Sequence, residues 1–153
     1  MDKWDRLLGE KNVLVGMKAR RNFDAIRELA AVFQNEPAVF DSKRFVSELI
    51  RREQQSSTGI GKGVAVPHVH DDSIERQLLA IGISPEGIDF NSIDGSPVHI
   101  VALLATPRKH HDQHMELLAA LSRLLQHDGF RQQLVQAKDA GAVVKLFKDS
   151  KAT

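Results

Sequence analysis

The chain contains no cysteine, no tyrosine and a single tryptophan. The missing thiols exclude disulfides, thiolate catalysis by this chain, and zinc or iron–sulfur sites built on cysteine; they are compatible with the cytosol. No apolar run approaches the roughly 20 residues of a membrane span, so no membrane insertion is expected. The start, MDKWDRLLGE, carries acids and lacks an apolar signal core, which reads as no export signal. An excess of one charge is missing too. Lys and Arg number 21 against 20 Asp and Glu, net +1, which gives no argument for nucleic acid as a partner. Like-charge runs, internal repeats and low-complexity tracts are absent. At 153 residues the chain is too short for a (β/α)₈ barrel and long enough for one domain with a buried core, read as 1–153 with its core at about 11–148. What the sequence does have is histidine, seven of them.

Along the chain, Asn12–Met17 reads as a short strand. Asn22 is a candidate N-cap, followed by Phe23, Ile26, Leu29, Ala30 and Phe33 at helical spacing, with Pro37 as the breaker. Asp41 can cap a second helix with Phe45 and Leu49 inward and Arg51 and Arg52 in its last turn. Val64–Val66 and Leu78–Ile83 read as buried strands, and Ser84–Gly95 as loop or short hairpin. Val98–Ala105 has the longest apolar run, which predicts a central strand ended by Pro107. Asp112 is a candidate cap for a helix to about Gln126, and Asp128–Ala137 and Asp139–Lys148 read as two more helices. Strands interleaved with helices predict one α/β layered domain with helices on both sheet faces.

Three places carry candidate chemistry. The first is Ser56–Gly63, SSTGIGKG. It is not a Walker A loop, because Gly63 stands where Ser or Thr must follow the lysine, and Val64 occupies the third glycine position of a dinucleotide fingerprint. On its glycines alone it reads as a tight strand-entry turn. With the hydroxyls of Ser56, Ser57 and Thr58 and with Arg52 upstream, it also reads as an anion nest suited to a phosphoryl group. The second is Pro67-His68-Val69-His70. In extended chain His68 and His70 point to the same side, so they can be polar strand-end residues, share a metal, or include a nucleophile that accepts a phosphoryl group. The third is His110, His111 and His114. His110 and His114 share a face if the helix starts early; if Asp112 caps it, His114 sits in the first turn, where free N–H groups favour an anion. His110 and His111 read as a solvated helix start. His99 reads as a hydrogen-bonded, partly buried strand residue, and His127 as a cation at a helix C-terminus.

Taken in order, these segments resemble a known family. Arg52-Glu53, Ser57-Thr58-Gly59-Ile60-Gly61 and Gly63-Val64-Ala65-Val66-Pro67-His68 are similar to the signature of the phosphotransferase-system IIA domains of the fructose, mannitol and nitrogen-regulatory class. Glu86-Gly87-Ile88-Asp89-Phe90, Asp94-Gly95-x-Pro97-Val98, Leu103-Leu104-Ala105-x-Pro107 and His114-Met115-x-x-Leu118 continue the likeness, with Met115 where the family usually has Leu.

The resemblance implies a mixed β-sheet with helices on both faces and a phosphotransferase-type phosphocarrier with a phosphohistidine intermediate. His68 would accept the phosphoryl group, with His114 as the second active-site histidine. Arg52 would neutralise phosphoryl charge, and Ser57 and Thr58 would help stabilise it in the pocket. No metal and no cofactor is implied. The implied donor is a histidine phosphocarrier protein (HPr or its nitrogen-branch counterpart), met in the cytoplasm. The expected role is that of a free-standing nitrogen-regulatory IIA protein whose phosphorylation state alters partner binding. The alternative is a fructose- or mannitol-type uptake component passing phosphate to a cysteine on a separate IIB domain, and a distant third is a metal-dependent hydrolase using His68, His70 and the 110–114 cluster.

Overall fold

The computed structural model describes residues 2–150. Six strands form one mixed sheet among them: β1 (Val13–Val15), β2 (Gly59–Gly61), β3 (Val64–Ala65), β4 (His68–His70), β5 (Leu78–Ile88) and β6 (Val98–Thr106). The order is β1-β5-β6-β3-β2, with β4 also paired to β6 beyond β3. β6 is central, as its apolar run predicts, running antiparallel to β5 on one side and parallel to β3 and β4 on the other. β5, at 11 residues, is the longer strand. It runs on to Ile88, into the first part of the segment read as loop or short hairpin, while residues 89–95 lie outside the strands. Ser84–Gly87 bulges out of register between the Ile83–Ile100 and Ile88–Val98 pairs, and that is how Pro85 and a left-handed Gly87 (φ 95°) are accommodated.

Helices cover both faces, because each face of the sheet is apolar. Helices α2 (Asn22–Ala30) and α3 (Ser42–Gln55) bury Ile26, Leu29, Phe45 and Leu49 against Val69, Ala80, Val101 and Leu103. On the other face α1 (Lys3–Leu7), α4 (His111–Leu125), α5 (Asp128–Gln136) and α6 (Ala140–Lys148) bury Trp4, Leu117, Leu121, Leu134 and Phe147 against Leu79, Ile81 and Leu104. Each fully buried Leu or Ile stabilises by about 1.5–3 kcal/mol, so the two apolar layers are the main source of cohesion. Trp4 belongs to the second layer, buried and edge-on to Phe147 at 5.3 Å. It extends the core below residue 11.

Two caps hold and two differ. Asp41 accepts from Arg44 N at 3.1 Å, and Asp139 from Ala142 N at 2.9 Å. Asn22 is the first helical residue, with Arg21 in the cap position. Asp112 lies inside the first turn of α4, because a 3₁₀ turn at Arg108–His110 starts the helix earlier and makes His110 the cap. That two-residue shift puts His111 on the helix as well as His114. Among the described residues no helix is long and apolar enough to cross a membrane.

Candidate functional site

β4 decides where the two histidines go. Pro67 has no N–H, so β4 begins at His68, and its parallel pairing to Leu104–Thr106 of β6 fixes the alternation. Val69 is fully buried toward α2 and α3, so His68 and His70 face the α4 side. There α4 presents His111, His114, Leu118 and Ser122, spaced for one helical stripe.

The result is a cluster of four imidazoles rather than the pair the sequence suggests. The His68 ring centroid is 5.7 Å from that of His114. His70 stacks on His114 at 4.9 Å with an interplanar angle of 11°, and lies 5.3 Å from His111. Stacked rings present faces to one another and do not turn their nitrogens to a common centre. Accordingly, no group of three or more His, Cys, Asp or Glu among the described residues is arranged to hold a metal ion. The periodicity of α4 contained the signal for His111, which a cap at Asp112 hides.

Hydrogen bonds assign the protons. His68 Nδ1 lies 2.8 Å from the Val66 carbonyl, which only accepts, so Nδ1 carries the hydrogen and Nε2 the lone pair. His70 Nε2 donates to the Arg108 carbonyl at 2.8 Å. His114 Nδ1 meets the Thr106 hydroxyl at 2.8 Å. His114 is only 5% exposed. Burial, then charge on His68, His70, Arg52 and His111, pushes its pKa down to about 4. Its place in the first turn of α4, at the positive end of the helix dipole, works in the same direction. His114 is therefore a neutral ring at neutral pH.

His68 opens on a cleft of about 370 Å³ walled by Arg52, Ser57, Thr58, Ile60, Leu118 and Ser122. Arg52 comes from the last turn of α3, and its Nε is buried with no hydrogen-bond partner among the described residues. A guanidinium with an unpartnered Nε among the described residues, lining the same cleft as His68, can bond a dianionic oxyanion there. Ser57 and Thr58 reach the cleft, but their hydroxyls are engaged. Ser57 Oγ donates to Phe90 O at 2.6 Å and accepts from Gly59 N, while Thr58 Oγ1 donates to Glu53 at 2.6 Å.

The glycine loop is not an open anion nest. It is a hairpin, β2 turning into β3 through Gly61, Lys62 and Gly63 at φ 92°, 57° and 79°. Two of its N–H groups are met by the chain's own carboxylates: Lys62 N donates to Asp94 at 2.9 Å, and Thr58 N to the buried Glu53 at 3.0 Å. Backbone N–H bonds from Lys62 and from Ser96 hold the Asp94 carboxyl below the usual carboxylate range. The glycines serve the turn, leaving Arg52 as the cation at the cleft. His99 behaves as its strand position predicts, bonding to Ser84 O at 2.8 Å.

Residues 6–150 match the family described as phosphoenolpyruvate-dependent sugar phosphotransferase system, EIIA 2, and the chain belongs to that family. It is 31% identical, over 94% of its length, to the PTS system fructose-specific EIIABC component of Bacillus subtilis, of which it spans 23%. It is 32% identical, over 96% of its length, to a nitrogen regulatory protein of Bradyrhizobium diazoefficiens, covering 95% of that protein. The crystal structure of the nitrogen regulatory protein IIA-Ntr from Neisseria meningitidis aligns with a TM-score of 0.87 at 22% identity, over 95% of this chain and 99% of that one. That likeness shows the fold, with the mixed sheet and two helical layers expected from the sequence.

Proposed function

We propose that the chain is a phosphocarrier of the phosphoenolpyruvate-dependent phosphotransferase system that accepts a phosphoryl group on His68 Nε2. The observation that carries this is the His68 Nδ1–Val66 O bond of 2.8 Å, which leaves the lone pair on Nε2 of a ring that lines the same cleft as Arg52. In the transfer, the P–N bond to a donor phosphohistidine breaks as the P–N bond to Nε2 forms. The donor imidazole leaves with the electron pair, so no proton need move. Charge spreads over the three equatorial oxygens, where fixed donors stabilise it. Arg52 can bond two of those oxygens at once. His114 supplies a neutral donor from beside His68. Ser57 and Thr58 act as pocket walls that tie the loop to Phe90 and Glu53.

The donor is a histidine phosphocarrier protein, encountered in the cytoplasm. The nitrogen-regulatory branch is favoured by the Bradyrhizobium relative, which is matched over 95% of its own length. In that role phosphorylation changes which proteins the chain binds. The sugar-uptake reading is supported by the fructose-specific relative. It requires an acceptor cysteine on a IIB domain, because this chain has none. The test is incubation with phosphoenolpyruvate and the general phosphotransfer proteins, comparing wild type with His68→Ala. Label is expected on wild type alone; label on the variant overturns the assignment. Onward label on a sugar-specific IIB cysteine moves the reading to the uptake branch.

A further inference from the structure

We propose that Gln77 and Thr106 are positioning residues, a buried polar relay that holds His114 as its Nε2–H tautomer and so sets the donor beside His68. In its functional meaning this rests on the reading of His68 as acceptor; the tautomer itself does not. The relay is buried throughout, with Gln77 4%, Thr106 0% and His114 5% exposed.

Its direction is fixed from one end. Gln77 Nε2 lies 3.1 Å from the Gln113 carbonyl in the first turn of α4, a group that can only accept. The nitrogen of the Gln77 carboxamide must therefore face it; the reverse orientation would set two oxygens together. The carboxamide oxygen then faces the Arg6 guanidinium at 3.5 Å, which is consistent. The second amide hydrogen goes to Thr106 Oγ1 at 3.1 Å. Thr106 thus accepts from Gln77 and has one hydrogen to give. The other partner it has among the described residues is His114 Nδ1 at 2.8 Å. If that hydroxyl donates, Nδ1 holds the lone pair and the ring hydrogen sits on Nε2. The other tautomer would leave the hydroxyl hydrogen buried and unmet, a penalty that disfavours it by about tenfold or more. With Nδ1 tied to β6, the Nε2–H edge is the one free to donate to a phosphoryl oxygen on the neighbouring ring, centred 5.7 Å away. His68, from the opposite tautomer, offers a lone pair. Two adjacent histidines are thus preset for opposite tasks by a carbonyl on one and a hydroxyl on the other.

The test is ¹⁵N NMR of the imidazoles in the unphosphorylated full chain, followed by the phosphorylation rate of His68. Wild type should show His114 with a protonated Nε2 and a hydrogen-bonded, unprotonated Nδ1. In Thr106→Val, Nδ1 should lose its bonded shift and transfer should slow about tenfold, the value of one lost hydrogen bond to a buried group. Thr106→Ser should restore both. Gln77→Glu should invert the relay, because a carboxylate takes the Thr106 hydrogen and draws the His114 hydrogen to Nδ1. A wild-type His114 protonated on Nδ1 overturns the proposal, even if His68 is labelled. So does an Nδ1 shift unchanged in Thr106→Val, or a shift that changes with no change in rate. Failure of His68 to be labelled leaves the NMR result standing, so the two readings fail separately.

Discussion

Acidification should cost this chain stability that a variant without a titrating group at position 114 retains. His114 is held neutral, with a pKa of about 4 set by burial and by its charged neighbours. In the unfolded chain it returns to about 6.5. Between those values the unfolded state binds a proton that the folded state refuses. Stability therefore rises with pH across that window: it is fully present above 6.5 and is lost as pH falls toward 4. At pH 5 the unfolded ring is almost fully charged and the folded one almost neutral, so the loss between pH 7 and pH 5 is about 2 kcal/mol. Raising the folded value by a whole unit lowers that figure by only about 0.3 kcal/mol, because the unfolded pKa dominates at pH 5. The assay is urea denaturation of wild type and His114→Gln at both pH values and constant ionic strength. The difference between the two proteins isolates the contribution of position 114. Wild type should lose about 2 kcal/mol more than the variant, a measurable share of a stability of about 5–15 kcal/mol. Equal losses would show that His114 protonates freely in the fold, refuting the reasoning.

The buried, unpaired Nε of Arg52 implies a conflict between stability and function. Arg52→Met should leave the unfolding free energy unchanged or raise it by up to about 1 kcal/mol, while slowing phosphorylation on the order of a hundredfold; a lowered unfolding free energy counts against a guanidinium waiting for an anion. Gly61 sits at φ 92° with an added Cβ 3.1 Å from Asp94, so Gly61→Ala should cost about 1–3 kcal/mol in a denaturant titration. No loss there would mean that the hairpin is free to relax.

Local patterns made much of this molecule legible. The apolar runs of β5 and β6, the stripe of α4 and the carboxylates of Asp41 and Asp139 act within one element, so periodicity and capping chemistry reveal them. The order of motifs from Arg52 to Leu118 likewise brought His68, His114 and Arg52 into one reading, and the fold sets all three around one end of the sheet. What was hidden depends on partners distant in sequence. The N–H groups around Gly61 read as an anion nest because Asp94, which occupies Lys62 N, comes from beyond β5. The stack of His70 on His114 needs β4 laid beside the start of α4. Gln77, a polar residue just before a strand, gives no local sign that it bridges Thr106 and Gln113. Pro85 and Gly87 signal a break, and the break is there, but as a bulge that the pairing with β6 carries through.

The most direct measurement is ³¹P–¹⁵N coupling in the phosphorylated, ¹⁵N-labelled chain. The His68 Nδ1 hydrogen is committed to Val66 O, so phosphorus should couple to His68 Nε2 while Nδ1 stays protonated. Coupling to His68 Nδ1, or to any other histidine, would contradict the assignment of the acceptor atom and with it the role given to the Val66 carbonyl.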